Sequence, residues 1–220
     1  HRSCSDPATM GNSHGGSRVC KLKKKEIKAL VAKTHFSVEE IKALWLHFRL
    51  ISSSEKDDNL IDRVEFQKAL GLKNSTFVDR MFAIFDADGD GGITFTEFLE
   101  CLSGLSSKAA PEEKLNFSFK IYDMDGDNVI SVQELTDMLR ATADENDLVL
   151  DENALSSVVA STFAEIPNHN DHITLAQYTD LLADHPMMLS QLTLNISALI
   201  AEQLQGGEIP LEDQDGAEDG

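Results

Sequence analysis

Two twelve-residue windows, Asp86 to Glu97 (DADGDGGITFTE) and Asp123 to Glu134 (DMDGDNVISVQE), constrain this chain more than any other feature. Each sets oxygen donors at alternate residues and ends on a glutamate. A hard cation such as Ca²⁺ takes roughly six to eight oxygens, so a chain that binds it must curl round the ion with donors at loop positions 1, 3, 5, 7, 9 and 12. Both windows meet that requirement.

In the first window Asp86, Asp88 and Asp90 fill positions 1, 3 and 5, and Gly91 permits the sharp bend at 6. Gly92 offers its backbone carbonyl, Thr94 acts through a water, and Glu97 closes the shell with two oxygens. The second window repeats this with Asp123, Asp125, Asp127, the carbonyl of Val129, Ser131 and Glu134. Asn128 stands where glycine is usual. Asparagine tolerates the left-handed backbone better than most residues, and the substitution is expected to leave this hand the weaker of the two. Glutamate at position 12 supplies the bidentate contact that suits Ca²⁺ rather than a six-coordinate Mg²⁺. Recurrence of carboxylates, a small residue and an isoleucine at fixed offsets argues against a chance acidic turn.

The isoleucines expose a repeat. Ile93 and Ile130 sit at position 8, where paired loops form a short two-stranded ribbon, and Ile61 and Ile173 occupy that position in two further segments. The segment Ser54 to Glu65 has Lys56 at position 3, and an ammonium there opposes a cation. The segment Ile166 to Gln177 begins on an apolar residue, has Asn168 and Asn170 at positions 3 and 5, and ends on a neutral glutamine. Neither is expected to bind. Pairing in order gives two lobes, each with one competent and one degenerate loop, and two bound Ca²⁺ ions in all.

The fold class expected is therefore all-α, with two lobes of paired helix-loop-helix units (EF-hands) and a C-terminal helix. Residues 36–105 form the first lobe, 110–185 the second, 186–205 the extra helix, and 206–220 an acidic tail with too little apolar surface to fold. Residues 1–35 are an N-terminal extension. Ser37 and Glu40 make a capping box that opens a helix, and Pro111 with Glu112 and Glu113 opens another. Eleven phenylalanines fall beside the loops at helical spacing and read as lobe core.

A formal net charge of −19 excludes a phosphate-matching surface, so nucleic acid is not an expected partner. Against that background Arg18 to Lys33 holds seven basic residues and one acidic one. The stretch is either a solvated face or a contact for anionic lipid. Gly11 follows Met10 as an N-myristoylated glycine would, although Gly15 stands where Ser or Thr is preferred. Cys20 would then be a second, palmitoylated anchor. His1 to Ser5 look unrelated to the rest, and Asp6 to Thr9 read as translated sequence upstream of a start codon or, with them, as an ordinary disordered N-terminus. Three cysteines without framework spacing imply no disulfides, and the expected location is the cytoplasm, with or without peripheral membrane contact. No catalytic or zinc constellation stands out, so the chain is not read as an enzyme.

The residues FSVEEIKALW (Phe36 to Trp45), FDADGDG (Phe85 to Gly91), EEKLNFSFKIYDMDGD (Glu112 to Asp127) and HPMMLSQLTL (His185 to Leu194) resemble the calcineurin B-like group. That group comprises calcineurin B, the plant calcineurin B-like sensors and the calcium- and integrin-binding proteins. The last phrase is also similar to the EF-hand region of calcium-activated NADPH oxidases. The resemblance implies a non-catalytic regulator whose Ca²⁺-loaded groove holds an amphipathic helix of a kinase, phosphatase or transporter, with acylation mapping onto Gly11. Other readings share the loops: a Ca²⁺ buffer, a photoprotein, or a structural subunit of a cytoskeletal or axonemal, dynein-associated complex.

Overall fold

Ser37 shows why the chain turns helical where it does. Its hydroxyl accepts the Glu40 N–H at 3.2 Å while the Glu40 carboxylate accepts the Ser37 N–H at 2.8 Å, so two of the helix's open donors are satisfied together. The same reciprocal pattern at Asp62 and Glu65, and at Thr94 and Glu97, opens the helices that leave the first two loops.

The computed structural model describes residues 20–183 except 57, 72, 74, 146, 150 and 169. The acylation site, Gly11, the extra helix over 186–205 and the acidic tail lie outside the described residues. Along the described chain run α1 (Lys24–Lys33), α2 (Val38–Ile51), α3 (Arg63–Leu70), α4 (Ser75–Phe85), α5 (Phe95–Gly104) and α6 (Pro111–Tyr122). Then follow β1 (Val129–Ser131), α7 (Val132–Glu145), α8 (Glu152–Ala164), β2 (His172–Thr174) and α9 (Leu175–Ala183). The fold is mostly helical, and the helices pair as α2–α3, α4–α5, α6–α7 and α8–α9 around four loops.

The isoleucine ribbon forms in both lobes. Ile61 and Ile93 exchange both backbone hydrogen bonds, at 3.0 and 2.9 Å, and Ile130 stands opposite Ile173 in the antiparallel β1–β2 pair. All four side chains are buried. Each ribbon therefore ties a carboxylate-rich loop to a degenerate one and seats both on the lobe core.

The first core gathers Phe48, Phe66, Phe85 and Phe98 with Ile41, Leu44, Trp45, Leu99 and Leu102. Edge and tilted ring contacts at 5.1 to 5.7 Å link Phe48 to Phe95 and Phe98, and Phe66 to Phe82 and Phe85. Such pairs each contribute roughly 0.5 to 1.5 kcal/mol beyond area burial. The second core is built on Leu115, Phe119, Leu135, Val159, Phe163 and Tyr178. The Tyr178 hydroxyl is hydrogen-bonded to Ser118, which satisfies both buried groups.

The basic N-terminal stretch is more than a surface patch. Residues 24–33 are α1, opened by the Glu26 carboxylate accepting the Lys23 N–H at 2.8 Å. Ile27 and Leu30 enter the first core together with Cys20, leaving Lys21, Lys25 and Lys28 exposed. Cys20 is fully buried, so the sulfur expected as a palmitoylation site is not presented to a membrane in this conformation.

The segment joining the lobes is also packed. Leu105 and Ala109 are buried, and Lys108 reaches back to Glu40 at 2.7 Å. His35 bridges the lobes at 2.9 Å to Glu113, and Phe117 of α6 packs against the first core.

Candidate metal centres

Each carboxylate-rich loop is built from a helix end and a helix start. Asp86 follows α4, and Thr94 caps α5, placing Glu97 in that helix's first turn. Asp123 follows α6, and Glu134 lies in the first turn of α7. Folding thus returns position 12 to position 1 whatever the ion does.

The result is two groups of converging carboxylates. Oxygens of Asp86, Asp88 and Glu97 all lie within 4.8 Å of one another, and so do those of Asp123, Asp125 and Glu134. Among the described residues these are the groups of three or more His, Cys, Asp or Glu that can hold a metal. A set of carboxylate oxygens with no nitrogen or sulfur is the chemistry that Ca²⁺ selects. The donor set fits that ion.

The remaining expected donors flank these triads. Asp90 accepts the Gly92 N–H at 3.0 Å and Asp127 the Val129 N–H at 2.9 Å, so both lie across the turn rather than within the converging group. The hydroxyls of Thr94 and Ser131 donate to Glu97 and Glu134 at 2.7 and 2.8 Å. Gly92 is buried under Leu60 of the neighbouring loop, whose Cδ1 would stand 3.1 Å from an added Cβ.

The closing glutamates are held in advance. Glu97 accepts N–H groups of Ala87, Asp88 and Thr94, and Glu134 those of Met124, Asp125 and Ser131, at 2.7 to 3.3 Å. Partial burial raises the pKa of each carboxyl. The hydrogen bonds outweigh that and hold both below the ordinary carboxylate value. Both stay ionised and ready for a cation at neutral pH.

The degenerate loops keep this architecture with different chemistry. Glu65 is buried and accepts N–H groups of Glu55, Lys56 and Asp62. Lys56, an exposed side chain, brings its ammonium to 3.7 Å from Asp62, a carboxylate of a ligand position. In the last loop Gln177 donates to the carbonyls of Pro167 and Asn168 at 3.1 and 3.4 Å and accepts from Thr174. Its amide bridges the loop ends without a metal. Asn59, Gly91, Asn128 and Asp171 stand at the sixth position of their loops, all with positive φ.

Arg80, which the sequence did not mark, lies beside the second site. It donates from Nε to the Lys120 carbonyl at 2.6 Å and from Nη1 to the Met124 carbonyl at 3.2 Å. Burial disfavours its charge, while Asp123, Glu134 and Asp125 favour it.

Fold and sites together define an EF-hand calcium-binding protein. Residues 77–105 match the EF hand domain and residues 118–139 match EF hand, so the matched stretches hold the two carboxylate-rich loops. Among curated relatives, calcineurin B-like protein 5 of Arabidopsis thaliana is 30% identical over 78% of this chain and 87% of its own length. The calcineurin B chain of Naegleria gruberi, named as a subunit, is 31% identical over 82% and 99%, and that of Schizosaccharomyces pombe 34% over 70% and 86%. The chain belongs to the calcineurin B and calcineurin B-like family.

Proposed function

We propose that this protein is a non-catalytic Ca²⁺-responsive regulator that binds two Ca²⁺ ions, one per lobe, and an amphipathic helix of a target protein. The observation that carries the reading is the pair of preorganised carboxylate triads, each tied through an isoleucine ribbon to the core of its lobe. Asp86, Asp88 and Glu97 would hold one ion and Asp123, Asp125 and Glu134 the other, with Asp90, Asp127, Thr94, Ser131 and the carbonyls of Gly92 and Val129 completing the shells. Bound Ca²⁺ supplies charge neutralisation and a fixed position for the helices that flank it. The relatives named as subunits favour a protein target over a free-standing buffer.

The second lobe offers a seat for such a helix. A cleft of about 420 Å³ opens between α7 and α8, lined by Val132, Thr136, Val159, Ala160 and Phe163. Val132 and Val158 stay exposed nearby. An amphipathic helix laid in an apolar groove is a recurring mode of recognition, and the target proposed is such a helix of a kinase, phosphatase, transporter or cytoskeletal subunit. The cytoplasm is the location proposed, with the exposed lysines of α1 touching anionic lipid and Gly11 acylated where translation starts at Met10.

Calorimetric titration with Ca²⁺ at physiological Mg²⁺, run beside a fluorescent apolar-surface probe, tests the reading. Two sites of roughly 10⁻⁷ to 10⁻⁵ M affinity with a rise in probe binding are expected. Tighter sites with no newly exposed surface would identify a buffer or a permanently loaded structural subunit. Four sites would overturn the assignment of the degenerate loops.

A further inference from the structure

Arg80 connects the two metal centres. It lies on α4, the helix that enters the first carboxylate-rich loop, yet its hydrogen bonds are made to the start of the second. Lys120 belongs to the last turn of α6, where carbonyls lack intrahelical partners. The N–H that would ordinarily bond to the Lys120 carbonyl is that of Met124. It is instead donated to Glu134 Oε1 at 2.7 Å. Arg80 fills the vacancy and, with its other nitrogen, takes the carbonyl of Met124 itself. Met124 is therefore gripped on both sides: its carbonyl by a side chain of the first lobe, its N–H by the closing glutamate of the second centre.

We propose that Arg80 is a positioning residue that couples occupancy of the Asp86–Glu97 loop to the affinity of the Asp123–Glu134 loop. The inference rests on the calcium reading above. The route is short and covalently continuous at both ends. Filling the first loop fixes the C-terminal end of α4, and Arg80 stands on that helix six residues before Asp86. Two nitrogens of its guanidinium reach two different carbonyls, a forked contact that a point-like ammonium does not reproduce. A neighbouring contact supports the same junction: Phe117 packs α6 on the first core. Each lobe has only one competent loop, so communication between occupied sites has to cross between lobes.

The test is a double-mutant cycle on the full chain, with loop occupancy followed separately through the amide resonances of Gly91 and Gly126. Emptying the first loop with Glu97→Gln is expected to shift the Ca²⁺ dissociation constant of the second by at least about fivefold, the lower end of measured couplings. In the Arg80→Met protein the same substitution should shift it by less than about twofold. Arg80→Lys keeps the charge but not the fork, and is expected to restore less than half of the coupling. With chelator present, Arg80→Met should speed hydrogen exchange at residues 123–126 and leave residues 86–89 unchanged. Far-ultraviolet circular dichroism of the same samples confirms that each variant is folded. A second-loop affinity indifferent to Glu97→Gln in the presence of Arg80, or a shift that survives Arg80→Met, would overturn the coupling while leaving the two calcium sites intact. A Gly126 resonance that does not respond to Ca²⁺ at all would overturn the calcium reading and the coupling with it.

Discussion

Gly91 and Asn128 reach the same backbone from different side chains. Their φ angles are 93° and 69°, and each donates its N–H to the first aspartate of its loop, at 3.0 and 3.2 Å. The asparagine therefore preserves the hydrogen bond that draws position 1 into the turn. Asn128→Gly is expected to change the second site's affinity by less than about threefold. Asn128→Val puts a branched side chain at positive φ and should cost about 1 to 2 kcal/mol of unfolding free energy, read by urea titration in chelator. The closing glutamates set a pH dependence at the same scale. Their folded pKa values lie below the reference 4.5, so their hydrogen bonds stabilise the fold above that pH and lose effect as pH falls through the folded values. In chelator, the stability gap between the unmodified chain and Glu97→Gln or Glu134→Gln should accordingly be constant near neutrality and narrow below about pH 4.5; a gap that widens on acidification would contradict the assignment. These residues were legible in the sequence because loop position alone fixes their role. The clamp by Gln177 was not, since it uses the amide's donor end against backbone carbonyls and leaves no mark in a pattern of charges.

Helices α2 to α9 and the ribbon follow from local signals that a sequence displays openly: capping residues, helical spacing of phenylalanines, and isoleucine at position 8. Helix α1 does not. Its apolar content reads as a break in a lysine run, because only Ile27 and Leu30 point into the core and their spacing of three is too brief a period to outweigh the charge around them. Burial of those two side chains makes α1 part of the first lobe's folding unit. Leu30→Ala should cost about 2 to 4 kcal/mol in urea unfolding, whereas Lys28→Ala should stay within about 0.5 kcal/mol. Cys20 and Cys101 offer an independent check on the same packing. Cys20 has no exposed surface, and burial pushes the Cys101 thiol up to about 12. Alkylation at neutral pH followed by peptide mapping should leave both unmodified in the native protein and label both in denaturant. Rapid native labelling of Cys20 would show that its segment leaves the core, which is the condition for lipidation there.

Across the whole molecule, charge opposes compaction and cations relieve it. The chain carries a formal −19, and its distant segments are tied together by nitrogen donors placed against acidic or carbonyl partners: Lys33 to Glu100, Lys108 to Glu40, His35 to Glu113, Lys73 to Asp147 and Arg80 to α6. None of these joins was legible in the sequence, because the partners lie 40 to 78 residues apart and no periodicity relates them. Exposed pairs of this kind contribute about 0 to 1 kcal/mol apiece, so the packing of Phe117 of α6 on the first core joins the lobes more firmly than these salt bridges do. Two sources of cation stabilisation can then be separated. Sodium chloride screens the repulsion without selecting a site, whereas Ca²⁺ adds mass-action stabilisation of about 2.7 kcal/mol per site at a hundredfold excess over its dissociation constant. At matched ionic strength, Ca²⁺ should raise the unfolding free energy well above the sodium value. Glu97→Gln and Glu134→Gln should each remove one site's share, and the double variant should retain only the sodium response. A double variant that still gained the full increment would place the stabilising ions outside these two loops.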